Sequence, residues 1–224
     1  EIEGIGPAPF AGMMLADMGA DVIVVERTDG KADATTDFGS ADILKRGKRS
    51  IAVDLKSEAG RELVLKLIES ANGLIEGMRP GVMERLGLGP EVCLQRNPEL
   101  VYGRVTGWGQ DGPMALRAAH DINYIALSGA LWYSGRPGEP PFAPPTLIGD
   151  VGGGALHLVV GLLAAALNAK KTHCGQVVDA NVVDGSANMM NLVLSLIASG
   201  QGSFSRGQSL IDGPHWFDSY RCSD

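Results

Sequence analysis

The sequence predicts an α/β fold built on a doubly wound parallel sheet, and three observations lead there. Over the first hundred residues, short β-branched runs alternate with stretches of helical periodicity, as in strands joined by right-handed helical crossovers. One run, DVIVVER (21–27), is apolar almost without interruption, as a strand covered on both faces should be. After about residue 120 the pattern becomes mainly helical.

Taken in order, EIEGI (1–5) reads as the end of a strand. PFAGMMLADMG (9–19) reads as a helix with Phe10, Met13, Met14 and Met18 on one side. DVIVVER is the next strand and SIAVDLK (50–56) another. A helix follows over SEAGRELVLKLIESA (57–71), where Ser57 can cap and Leu63, Leu67 and Ile68 repeat at helical spacing. GLIEGM (73–78) and LVYGRVTG (100–107) are further strands, with short helices between them. Helices are then expected over 121–132, 152–170 and 182–199, the first two separated by the Pro/Gly loop SGRPGEPPFAPP (134–145). No internal repeat stands out.

With 224 residues, 45% of them hydrophobic, the chain can bury a full core as one large domain or one plus part of another. A net charge of −7 argues against a broad nucleic-acid footprint, so any anion site must be local. The cysteines, Cys93, Cys174 and Cys222, lie far apart with no C-x-x-C. They fit a reducing compartment, read here as the cytoplasm, and offer no disulfide or metal framework. EIEGIG lacks the basic start of a secretory leader. The apolar stretch 151–169 approaches membrane-spanning length, but it holds three consecutive glycines and His157. A buried helix of an α/β protein is expected there, with no membrane partner.

Two local clusters invite an anion. Gly4 and Gly6 follow a strand and open a helix, but the third glycine of a dinucleotide fingerprint is replaced by Pro9, which lacks the N–H. Arg27, Lys56 and Arg79 each end a predicted strand, and strand C-termini of a parallel sheet share one rim. With the basic loop LKRGKRS (44–50), which carries Lys45, Arg46, Lys48 and Arg49, they suit a polyphosphate such as that of coenzyme A. Each alone also reads as a solvated surface charge.

Two sites invite proton chemistry. RAAHDINYIAL (117–127) sets His120, Asp121 and Asn123 on the first turn of an apolar helix. Capping accounts for Asp121 or Asn123, but less readily for His120. In LIGDVGGGALHL, Asp150 sits between a strand-like PTLIG and the glycine-rich start of a long helix. It reads either as an ordinary N-cap or as a functional carboxylate favoured by the helix dipole. One helix and one loop separate it from His120, enough to bring both helix N-termini to one cleft. A His and an Asp facing each other across a carbon would form a two-base arrangement.

The blocks GPAPFAGMMLADMGADVIVVER, KRGKRSIAVDLKS, EGMRPGVMERLGLGPE, RVTGWGQDGP, AHDINYIALSGAL, LIGDVGGG and GQVVDANVVDGSA occur in order along the chain. In them the sequence resembles the α-methylacyl-CoA racemases of the family III CoA-transferase superfamily. The resemblance implies a Rossmann-like, coenzyme A-binding large domain over 1–186. It makes 187–224 a helix and linker leading toward a small domain that this chain lacks. It implies inversion at the carbon next to a coenzyme A thioester by 1,1-proton transfer, without metal or redox cofactor, with His120 and Asp150 as the acid/base pair. Coenzyme A contacts would fall on Arg27, on Val53, Asp54, Leu55 and Lys56, on Arg79, and on the turn holding Ala119, Asp121, Asn123 and Tyr124; Arg46 is a weaker transfer. Ala119 stands where the family usually has glycine. For the full-length protein the resemblance implies an interlocked homodimer. Two other readings stay open: a CoA-transferase of the same superfamily with Asp150 as acyl-accepting nucleophile, and an inactive coenzyme A-binding fragment.

Overall fold

The computed structural model describes residues 1–28 and 41–223. In chain order its elements are α1 (Pro7–Asp17), β1 (Val22–Glu26), β2 (Lys48–Ala52), α2 (Glu58–Glu69), β3 (Gly73–Glu76), α3 (Val82–Arg85), α4 (Pro90–Arg96) and β4 (Val101–Thr106). Then come α5 (Asp121–Ser128), a wide π-helical segment (Leu147–Leu156) that runs straight into α6 (His157–Thr172), β5 (Gln176–Asn181), α7 (Val182–Met189) and α8 (Asn191–Ala198).

All strand pairs are parallel: β1 with β2, β3 with β4, and β4 with β5. The first three residues join the two groups. Ile2 bridges to Val25 on one side, and its N–H donates to Ile75 O at 2.8 Å on the other. The spatial order is therefore β2, β1, residues 1–3, β3, β4, β5, and the chain reverses direction across the sheet between residues 1–3 and β3. In sheets of this kind ligands bind outside the strand C-termini at that reversal, which here means the Gly4–Gly6 turn and the Gly77–Arg79 turn.

Alternation along the strands divides the core. Ile75, Val101 and Val105 point to one layer with Ala8, Ala11, Leu158, Leu162 and Val182. Leu74 and Tyr102 point to the other, with Val64, Leu65, Ile68, Met83, Leu88 and Leu100. Burial on both faces is why these strands read as continuous apolar runs.

Several expectations shift. In α1 the buried residues are Ala8, Ala11, Gly12 and Met13, while Met18 is exposed, so this helix packs through its small side chains. Ser57 does cap α2, accepting from the Gly60 N–H at 3.0 Å, but the buried face is Val64, Leu65 and Ile68. The strand expected over SIAVDLK begins pairing at Lys48 and ends at Ala52, which leaves Val53–Lys56 as a loop beyond the strand. QVVDAN, unassigned between two expected helices, forms the edge strand β5, and the helix over 182–199 breaks into α7 and α8 at Met190. PTLIG is no strand, because the helix already begins at Leu147. By length and apolarity Leu147–Thr172 resembles a membrane span. It nevertheless lies on the sheet, with Leu158, Val159, Leu162, Ala165 and Ala169 buried against it.

Candidate active site

The site is assembled from two helix beginnings. His120 is the N-cap of α5 in extended conformation. Its backbone N–H donates to Asn123 Oδ1 and its carbonyl accepts from the Asn123 N–H, both at 2.9 Å. Asn123 thus does the capping, which leaves the exposed His120 ring outside that task. Tyr124 is buried one residue further on. Its hydroxyl donates to the Ala119 carbonyl at 2.9 Å, and its ring stands edge-on to Trp108 at 4.7 Å.

Asp121 does not cap its own helix. Oδ1 accepts the backbone N–H of Asp150 at 2.7 Å and so ties the start of α5 to the π-helical segment. Asp150 lies in the first turn of that segment, and a methyl group at Gly6 would sit 3.9 Å from its Oδ2. Gly6 holds φ 72°, a conformation that glycine adopts without strain, so the turn at the sheet's reversal point comes up beside the carboxyl. Asp150 is pushed up to about 6, first by burial and then by the negative charge of Asp121; the charge of His120 opposes the shift. His120 therefore lies within electrostatic reach of Asp150.

The π-helical segment is pinned from behind. A Cβ at Gly153 would come within 2.6 Å of the Val182 carbonyl oxygen, and one at Gly185 within 1.9 Å of the Gly153 carbonyl oxygen, so α7 crosses it backbone to backbone. His157 Nδ1 donates to the Gly152 carbonyl at 2.8 Å, while its Nε2 accepts from Asn188 Nδ2 at 3.1 Å. Sequence reasoning treated His157 as a core residue. Its role in fixing this turn was visible only as a histidine five positions beyond a glycine.

The other expected contact residues divide into two groups. Parallel strands place Arg27 after β1, Val53–Lys56 after β2 and Arg79 after β3 at one rim. The Arg27 N–H donates to Glu3 Oε2 at 2.9 Å, and the Val53 N–H donates to the Glu26 carbonyl. Asp54 Oδ1 accepts from the Lys56 N–H at 3.0 Å and shapes that loop, leaving Leu55 half-buried and the Lys56 side chain exposed. Arg79 is exposed, close enough for its charge to act on Tyr124.

The basic loop is taken up by carboxylates. Arg46 pairs with Asp17 in the last turn of α1, the end remote from Gly6. Lys45 pairs with Glu26, Arg49 with Asp21, and Lys48 with Glu1 in a buried contact. The cluster read as an anion site is thus matched by carboxylates that lie apart in sequence. A second buried set went unnoticed. Glu76 is fully buried, accepts from Arg104 Nε at 3.0 Å and from the Met78 N–H at 2.7 Å, and so holds the turn that presents Arg79. Arg104 also reaches Glu84 at 3.0 Å. The signal was a charge at a core-facing position in each of two strands.

Comparison with known proteins places these features in a group. The family model for CoA-transferase family III matches residues 1–224. Human alpha-methylacyl-CoA racemase is 40% identical over 100% of this chain, which covers 57% of that protein. Succinate–glutarate CoA-transferase of Agrobacterium fabrum is 34% identical over 93% of this chain and 56% of its own length. The crystal structure of a CAIB/BAIF family protein from Brucella suis superposes with a TM-score of 0.79 at 31% identity, covering 90% of this chain and 56% of that one. The chain thus spans little more than half the length of these relatives.

Proposed function

Because the chain belongs to CoA-transferase family III, we propose that the whole protein acts on coenzyme A thioesters as an α-methylacyl-CoA racemase, with His120 and Asp150 as its two acid/base groups. The observation that carries this reading is the joined pair of helix beginnings. An imidazole on one and a carboxyl on the other lie within electrostatic reach at the reversal point of the sheet, and the carboxyl is raised to about 6.

The chemistry follows from the residue types. A proton α to a thioester is weakly acidic, so the enolate needs hydrogen-bond donors as it forms. The Asp121 and Ile122 N–H groups that open α5 lack intrahelical acceptors and are suited to that task. In one direction neutral His120 takes the proton and protonated Asp150 returns one to the opposite face; in the other direction the roles exchange. A carboxyl near neutrality suits both halves. A carboxylate serving as acyl acceptor, as the transferase reading requires, gains nothing from a raised pKa. We assign the coenzyme A moiety to Arg27, Val53–Lys56, Arg79 and Ala119–Tyr124, and exclude Arg46 from it.

No metal or redox cofactor enters this scheme. The free thiols, buried Cys93 and exposed Cys174 and Cys222, agree with a reducing compartment, which we take to be the cytoplasm. We further propose that the full-length protein is a homodimer and that residues 187–224 lead out of the large domain. The outward apolar line Leu156, Val160, Leu163 and Leu167 supports the homodimer.

The test is exchange of the α-proton of a 2-methylacyl-CoA in deuterated water, followed by NMR on the full-length protein. His120→Ala and Asp150→Ala are each expected to lower exchange by on the order of 10²–10⁴-fold. Exchange at the unmodified rate in either variant refutes the assignment. A covalent acyl or coenzyme A adduct on Asp150 turns it to the transferase, and tight coenzyme A binding without exchange to a binding protein.

A further inference from the structure

Two features of Asp121 are left over by acid/base chemistry on its neighbours. The carboxylate is 5% exposed, yet Oδ1 serves the Asp150 amide and not its own helix. Oδ2 is buried with no hydrogen-bond donor among the described residues. The approach is built into the packing, since a methyl group at Gly149 would lie 2.6 Å from Asp121 Oδ1. A neutral Asn would accept the same N–H. The acid at this position therefore calls for a reason that involves its charge.

We propose that Asp121 is a positioning residue for the Asp150 carboxyl: it clasps the start of the Asp150 helix and, through its buried negative charge, keeps one proton on the His120–Asp150 pair at neutral pH. The inference deepens the racemase reading and rests on it for its kinetic consequence, while its electrostatic content stands apart. One proton shared by the pair is the state in which either group can give while the other takes. A fixed negative charge beside the pair favours that state over the fully deprotonated one. Among the described residues, the charges that act on Asp150 are those of Asp121 and His120. Tyr124, on the same helix, is itself held protonated, first by burial and then by Asp150. Gly6 and Pro7 approach this segment from the start of α1, and Val182, Gly185, Ser186 and Met189 from α7; the ionisable side chain of α1, Asp17, pairs with Arg46 in its last turn, and that of α7, Asp184, accepts from Asn181. The upward shift of Asp150, for which burial is the first cause and Asp121 the second, agrees with the proposal.

The experiment follows the side-chain carboxyl ¹³C signals of ¹³C-Asp-labelled protein through a pH titration, with Asp150 assigned by its loss in Asp150→Asn. In Asp121→Asn the Asp150 midpoint is expected to fall by about one unit, a ~10-fold change in proton affinity. Asn preserves the hydrogen bond to the Asp150 amide, so a role confined to structure leaves the midpoint where it was, and that result overturns the proposal. If Asp121→Asn does not fold, Asp121→Ser, which removes the charge and keeps a hydrogen-bonding oxygen, takes its place in the same titration, and an unmoved Asp150 midpoint overturns the proposal equally. In the α-proton exchange assay on a 2-methylacyl-CoA, the limb of the pH profile that follows Asp150 should move to lower pH in Asp121→Asn. Absence of exchange in the unmodified protein defeats the racemase reading alone, because the carboxyl titrations still decide the role of Asp121.

Discussion

LIGDVGGGAL, which carries Asp150, and NLVLSLIA, which forms α8, are both apolar helical stretches, and the fold treats them oppositely. The first buries Gly149, Gly152, Gly153, Gly154 and Ala155 between α1, α5 and α7. The second has no buried residue, and Leu192 is 69% exposed. Several large side chains of the chain's second half, Val160, Leu167, Phe204 and Trp216 among them, face outward in the same way. Size separates the two stretches more than apolarity does. Glycine and alanine let backbones approach, and close backbones bring Asp121 to the Asp150 amide and Gly6 to the carboxyl. A bulky apolar helix needs a surface to receive it, and among the described residues α8 leaves even Val193, Leu196 and Ile197 only half-buried.

The strongest way to break that contrast is Gly153→Ala. The new methyl would lie 2.5 Å from Ser186 Oγ and 2.6 Å from the Val182 carbonyl oxygen. The hydroxyl can rotate away; the carbonyl cannot, so α7 must move. Overpacking of this kind costs about 3 kcal/mol, offset by about 1 kcal/mol from replacing a helical glycine with alanine. A net loss of roughly 2 kcal/mol in urea-denaturation stability is expected. A variant as stable as the parent shows that the crossing is loose and removes the contrast.

The next effect sharpens it through pH. The folded protein holds Asp150 at about 6 against an ordinary value of 3.8. A raised carboxyl favours the folded state while protonated. That contribution is complete below about pH 4 and is lost as pH rises through about 6. The full shift corresponds to ~3 kcal/mol, and partial exposure with solvent screening reduces the expected effect to about 1 kcal/mol. Asp150→Asn should therefore be about 1 kcal/mol more stable than the parent at pH 7.5, with the two converging toward pH 3.5. Thermal unfolding across that range reads the difference directly, and a parallel offset at every pH contradicts the sign.

Much of the sheet was legible because its signals are local. DVIVVER and LVYGRVTG carry strand propensity on both faces, and Ser57 sits where a cap must sit. β5 was missed because an exposed edge strand directly followed by Val182 and Val183 lacks clear alternation. PTLIG was misread because a strand and the opening turns of an apolar helix share a composition over so few residues. At the site, His120, Asp121, Asn123 and Asp150 were singled out by residue type, by their places at helix beginnings and by the family resemblance. What Asp121 does was not, since its partner amide lies 29 positions away and only tertiary packing selects it. For the same reason Arg46 seemed available: nothing near it in sequence announces Asp17.

The smallest expected effect tests the other side of the contrast. Leu192→Gln replaces a side chain that already faces outward, so it forfeits little transfer free energy and leaves no cavity. Its stability should stay within about 0.5 kcal/mol of the parent. Val160→Gln, on the outward line of α6, should behave alike, although α6 itself is a core helix, because its buried face of Leu158, Val159 and Leu162 is untouched. A loss near 2 kcal/mol for Leu192→Gln would mean that α8 has a receiving surface within this chain. Sedimentation velocity adds the complementary reading: if these outward faces meet a second copy, both substitutions should weaken self-association while monomer stability holds. An effect on association without one on folding is the signature of an apolar surface that the chain's own core does not use.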